Sequence, residues 1–257
     1  MRDVRITRRR FGAVAGSVLG SLAVGGACRA LDGVSAGDNS GRLTARPGSS
    51  TATAAEGTRA LGLGLGRDAM LHVPPAAAGP LPLLVLLHGA SGSGARMLQR
   101  VAPSVEAAGL VVLAPDSRDS TWDAIRDDFG PDVEFLNRAL QRVFDTIAID
   151  PARVAVGGFS DGATYALSLG LVNGDLFTKV VAFSPGFIVS GTTHGKPRFF
   201  ISHGTADTIL PIDSASHAIV PSLKGRGYDV TFREFNGGHE VPPAVAGEAM
   251  TWVAARA

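Results

Sequence analysis

The chain has 257 residues, 45% of them apolar and 18% charged, enough to build one sizeable core, with a formal net charge of +1. Residues 1–27 hold five of the arginines and one aspartate; without them 19 basic residues face 22 acidic ones, a net charge of −3. Nothing basic remains to suggest nucleic-acid binding, and a single cysteine, Cys28, excludes an internal disulfide, so the fold must stand on its core.

In chain order, Thr7-Arg8-Arg9-Arg10-Phe11 opens a stretch in which residues 11–27 carry no charge. A charged start, a short apolar run and small residues at its end form the pattern of an export signal, and the Arg8-Arg9 pair resembles the twin-arginine type. Five glycines in seventeen residues make the run weakly apolar and short for a membrane span. Residues 1–27 are therefore expected to be a signal peptide that delivers the protein to the periplasm or the exterior. Cys28 then has two readings. It is a lipidation site that anchors the new N-terminus to a membrane, or cleavage after Ala27 or Ala30 leaves a soluble enzyme. Residues 28–66, rich in Gly, Ala, Ser and Thr, read as a flexible linker, with Gly62, Gly64 and Gly66 pairing weakly onto a sheet edge.

From residue 67 to 257 strands and helices alternate. An antiparallel edge strand is expected over 68–73, ended by Pro74-Pro75. Then come a strand over 81–87 and a helix over 95–108, a strand over 110–114 and a helix over 132–146, and a strand over 153–159 and a helix over 161–173. Strands over 179–183, 198–202 and 229–235 follow, with helices over about 213–225 and 242–256. This alternation predicts an α/β fold: one domain, a mostly parallel twisted sheet and helices on both faces.

Chemistry enters at Gly158-Phe159-Ser160-Asp161-Gly162, directly after the apolar run 153–156. A strand that turns sharply into a helix holds a serine hydroxyl clear of the sheet, and small residues on either side let strand and helix approach. A hydroxyl is a poor nucleophile near neutrality and needs a base and a group to orient that base. Asp207 follows the strand 198–202, and His239 follows the strand 229–235. The chain order is Ser160, Asp207, His239. The loop His88-Gly89-Ala90-Ser91-Gly92-Ser93-Gly94 follows the strand 81–87 and can aim amides at a developing oxyanion; Ala90 and Asp161 are the expected donors.

With these pieces together the chain resembles the α/β-hydrolase superfamily. It is most similar to small, lidless carboxylesterases of the phospholipase/carboxylesterase and polyhydroxybutyrate-depolymerase-like kind. The resemblance covers roughly residues 67–256 and rests on HGASGSG, GFSDG, HGTADTILP and GGHEVP in that order. It implies that Ser160, Asp207 and His239 form a triad that hydrolyses carboxylic esters with no metal or organic cofactor. Many relatives carry Gln after the serine; Asp161 keeps the amide but sets a negative charge beside the nucleophile.

His88 and His203, each between a strand and a glycine, are expected to bond nearby backbone. Asp213 is expected to cap a helix, Asp132 to favour a helix N-terminus, and Glu240 to be solvated. Trp122 and Phe187 are expected to line the substrate site. About fourteen residues separate the strands 179–183 and 198–202, too few for a cap domain. The site should therefore be open, suited to small-molecule or polymeric esters. A serine peptidase and a non-catalytic surface binding protein on the same fold are the competing classes.

Overall fold

The computed structural model describes residues 40–48, 55–64, 66–75 and 79–256. Among the described residues eight strands form one sheet in the order β1-β2-β4-β3-β5-β6-β7-β8. They are β1 (Gly57–Ala60), β2 (Ala69–Val73), β3 (Leu81–Leu87), β4 (Val111–Pro115), β5 (Ile149–Phe159), β6 (Lys179–Phe183), β7 (Arg198–Gly204) and β8 (Val230–Phe235). The pairs β1–β2 and β2–β4 are antiparallel; every pair from β4 through β3 to β8 is parallel. The helices are α1 (Gly94–Ala108), α2 (Asp123–Arg126), α3 (Pro131–Thr146), α4 (Asp161–Val172), α5 (Ser216–Gly225) and α6 (Pro243–Ala254).

The sheet is covered on both faces, so its central strands are continuous apolar runs. Along β3, Leu83, Val85 and Leu87 pack with Phe135, Leu140, Leu167 and Leu223 of α3, α4 and α5. The alternating Leu84 and Leu86 pack with Met97, Val101, Met250 and Val253 of α1 and α6. The period of two along the strand thus sorts one sequence into two cores. The connection 184–197 between β6 and β7 contains no helix and forms no cap.

Three expectations are corrected. The strand at 69–73 is antiparallel but is not the edge: β1 pairs outside it, in register Gly57 with Val73 and Ala60 with Met70. The side chains of β1 are mostly exposed, so no apolar alternation marks it. Gly62 and Leu63 do not pair with the sheet; their amides donate to the Asp68 carboxylate at 2.8 and 3.2 Å.

The linker reading of 28–66 also fails where the structure describes it. Leu43 and Ala45 are buried in the core shared with α3 and α4. The Asn137 side chain accepts from the amides of Thr44 and Ala45, and Asn173 accepts from the Leu43 amide, each at 2.8 Å. Arg42 grips Asp175 bidentately at 2.7 and 2.8 Å, and Arg46 adds a third bond. The bonds from Arg42 come first in holding the Asp175 carboxyl well below its usual range. The anchors are polar side chains about a hundred residues away, which a local composition of small residues does not reveal. Residues 1–39, with the export signal and Cys28, lie outside the described residues.

Candidate active site

The junction of β5 and α4 is the turn the motif requires. Ser160 has φ 57° and ψ −121°, a backbone geometry rare for a residue with a Cβ. Its amide is tied to Phe183 O of β6 at 3.0 Å. A Cβ at Gly158 would lie 2.5 Å from the Gly162 backbone, and one at Gly162 would lie 2.4 Å from Leu87 O. Both positions need glycine because strand, helix and β3 meet there.

Ser160 Oγ lies 2.8 Å from His239 Nε2, and His239 Nδ1 lies 2.7 Å from Asp207 Oδ2. A carboxylate can only accept, so the proton of the neutral ring sits on Nδ1 and Nε2 accepts from the serine hydroxyl. Asp207 is buried, and its Oδ1 accepts from the amides of Ile209 and Leu210 at 2.9 Å each. Burial pushes the Asp207 carboxyl up, but the bonds from His239, Leu210 and Ile209 outweigh it and hold its pKa below the ordinary value. Ser160 is 9% exposed, and the His239 ring rests against Phe159 at 4.7 Å between centroids.

His203 has the structural place expected of it, with an added contact. Its Nε2 lies 2.7 Å from Leu210 O, so that nitrogen carries the proton, and Nδ1 accepts from Ser216 Oγ at 2.7 Å. The same Nε2 is 3.2 Å from Asp207 Oδ2, so the Asp207 carboxylate faces two imidazoles. Burial lowers the His203 pKa, which keeps it neutral. His88 is pinned too: Nδ1–H donates to Gly89 O at 2.7 Å and Nε2 accepts from the Ser117 amide at 3.0 Å. Asp213 does not cap a helix; it faces His217 Nδ1 at 2.8 Å on the surface.

The glycine-rich loop presses on the elbow, since a Cβ at Gly89 would lie 3.2 Å from the Ser160 Cβ. Neither the Ala90 nor the Asp161 amide donates to another described residue, which leaves both free for a ligand. The loop is held from behind. The Ser91 amide donates to Ser120 O at 2.6 Å, and Trp122 Nε1 donates to His88 O at 2.8 Å. Trp122 is therefore corrected: it is fully buried between His88 and Tyr165 and lines nothing. Phe187 is 42% exposed on the loop after β6, within reach of solvent.

A network behind the loop was not legible in the sequence. Thr121 Oγ1 donates to Asp161 Oδ2 at 2.6 Å, so the charge beside the nucleophile is engaged. Asp123 accepts from Tyr165 OH and from the amides of Ala124, Gly130 and Asp132. Asp132 accepts from the amides of Arg118 and Asp123 at 2.6 and 2.7 Å. Burial first, and the neighbouring Asp123 charge against the pull of those amides, raise the Asp132 pKa to about 6. One local signal exists, two aspartates nine residues apart around a Gly-Pro, but only the folded loop brings their carboxylates onto each other's backbone.

A covered, mostly parallel sheet with a strained serine elbow and an imidazole–carboxylate pair on the following strand ends defines an α/β-hydrolase. The phospholipase/carboxylesterase family matches residues 123–255, and the chain belongs to that family. A probable feruloyl esterase C of Aspergillus oryzae is 26% identical over 173 residues, covering 55% of this chain and 63% of that protein. Among solved structures, esterase PE8 shares 21% identity with a TM-score of 0.61, over 74% of this chain and 98% of its own. A Bacillus cereus carboxylesterase shares 20% identity with a TM-score of 0.56, over 73% and 93%. At these identities the solved structures speak for the fold. The match to the curated feruloyl esterase spans less than two thirds of that protein's length.

Proposed function

We propose that this protein is a serine carboxylesterase working through an acyl-enzyme. The observation that carries the reading is the unbroken line from Ser160 Oγ through His239 to Asp207, at 2.8 and 2.7 Å. His239 Nε2 takes the hydroxyl proton as Oγ attacks the ester carbonyl. The amides of Ala90 and Asp161 receive the oxyanion; loss of one such donor typically costs about 3–4 kcal/mol. The imidazolium, steadied by Asp207, then protonates the alcohol as its C–O bond breaks. Water, deprotonated by the same ring, frees the acid and restores the serine.

The substrate is a carboxylic ester with open access to Ser160. Similarity to a probable feruloyl esterase supports an aromatic acyl group, on a small molecule or a polymer, with Phe187 beside the acyl chain. A fluorophosphonate should label Ser160, and Ser160→Ala should lose labelling and hydrolysis of a short aryl ester by about a million-fold with an unchanged fold. Retained turnover in that variant sinks the reading. A non-catalytic surface binding protein would not label, and a serine peptidase would cleave a peptide amide as well as esters. Residues 1–27 are read as a twin-arginine export signal, followed either by a lipid anchor at Cys28 or by simple cleavage after Ala27 or Ala30. The mass of the mature N-terminus tests both, and an unmodified N-terminus rejects the anchor.

A further inference from the structure

The wall of the site beside the glycine-rich loop carries two arginines that the reaction does not use. Arg96 and Arg100 lie four residues apart on α1 and therefore share one face. Together with Met97, Phe159 and the loop 88–93 they line a cavity of about 220 Å³. The Arg100 guanidinium sits 4.8 Å over the Phe159 ring, the same ring that touches His239. One aromatic side chain thus separates this cation from the base.

Six other arginines, Arg42, Arg46, Arg126, Arg153, Arg198 and Arg233, each have a carboxylate at 2.7 Å. Arg96 and Arg100 form no ion pair among the described residues, and no Asp or Glu lines their cavity. Asp161, the nearest acidic residue in sequence to the nucleophile, is held by Thr121 and does not line it. Two like charges at this spacing on a helix repel each other. A guanidinium pair beside apolar Met97 and Phe159 matches a planar or tetrahedral anion carried on a short organic stem.

We propose that Arg96 and Arg100 form an anion subsite, so that the preferred esters carry a carboxylate or phosphate group. The proposal rests on the esterase reading and names the charge class of its substrate. Because the anion can ride on either half of the ester, two matched pairs test it with the full chain. On the acyl side, an aryl monoester of glutaric acid is compared with the aryl pentanoate. On the alcohol side, the butyrate of 4-hydroxybenzoate is compared with the butyrate of its methyl ester. In at least one pair the anionic-to-neutral ratio of kcat/KM should fall about tenfold in R96Q/R100Q, recover in part in R96K/R100K, and shrink in the wild type as salt rises. The pair that responds identifies the half that carries the anion. An unchanged ratio in both pairs, with neutral esters still hydrolysed, overturns the subsite and leaves the esterase standing. If no ester is hydrolysed, the esterase reading fails, and binding of 4-butyramidobenzoate by calorimetry decides the subsite alone. Binding weakened about tenfold in R96Q/R100Q supports it, and equal binding rejects it.

Discussion

Two regions flank Ser160, and both hold buried aspartates whose oxygens accept backbone amides. After β7 and β8, Asp207 takes the amides of Ile209 and Leu210 and the His239 ring proton, and its pKa falls below the ordinary value. In the segment 117–132, Asp132 takes the amides of Arg118 and Asp123, and its pKa rises to about 6. At Asp132 two amides do not offset burial and the neighbouring Asp123 charge, whereas at Asp207 two amides together with the His239 proton outweigh burial. The first arrangement suits a group that must stay anionic through a reaction. The second suits a brace that shapes a loop.

Asp207→Asn breaks the first region and should have a larger effect than any change in the second. The amide NH₂ forces the His239 proton onto Nε2, so the ring no longer accepts from Ser160 Oγ, and kcat should drop roughly 10,000-fold. Fluorophosphonate labelling should slow in parallel, and a loss of less than about tenfold would contradict the assigned role.

Stability against pH tests the second region. Asp132 has a folded pKa of about 6 against an unfolded 3.8, so the folded state binds more protons between these values. Its contribution is therefore full below the unfolded value and lost as pH rises through about 6, by at most about 3 kcal/mol. His203 works in the opposite direction, since its lowered pKa favours the folded state as pH rises through the histidine range. Subtracting the urea stability curve of Asp132→Asn from the wild type isolates the aspartate. A difference that does not decline between about pH 4 and pH 7 rejects the account.

The smallest effect is expected where the two regions meet. Thr121→Val removes the bond to Asp161 while keeping the side-chain shape. A net hydrogen bond of about 1 kcal/mol corresponds to a roughly fivefold loss in kcat/KM if the bond positions the Asp161 amide. An unchanged value places Thr121 outside the positioning of that amide.

The sequence by itself determined the central sheet, because strands buried on both faces are unbroken apolar runs and the helices between them repeat. It also set the order of Ser160, Asp207 and His239, each just past the end of a strand with glycine beside the turn. Only the tertiary structure decided the rest. Trp122 reads as a ligand-facing aromatic until His88 and Tyr165 enclose it and His88 O takes its N–H. Residues 41–46 read as linker until Asn137, Asn173 and Asp175 supply the partners their backbone and arginines need. The Asp123–Asp132 brace and the contact between His203 and Asp207 likewise depend on groups that no local pattern joins. Apolar periodicity is a property of neighbouring residues and survives in one dimension. Hydrogen-bond partners and unpaired charges are properties of space, fixed only when distant segments pack.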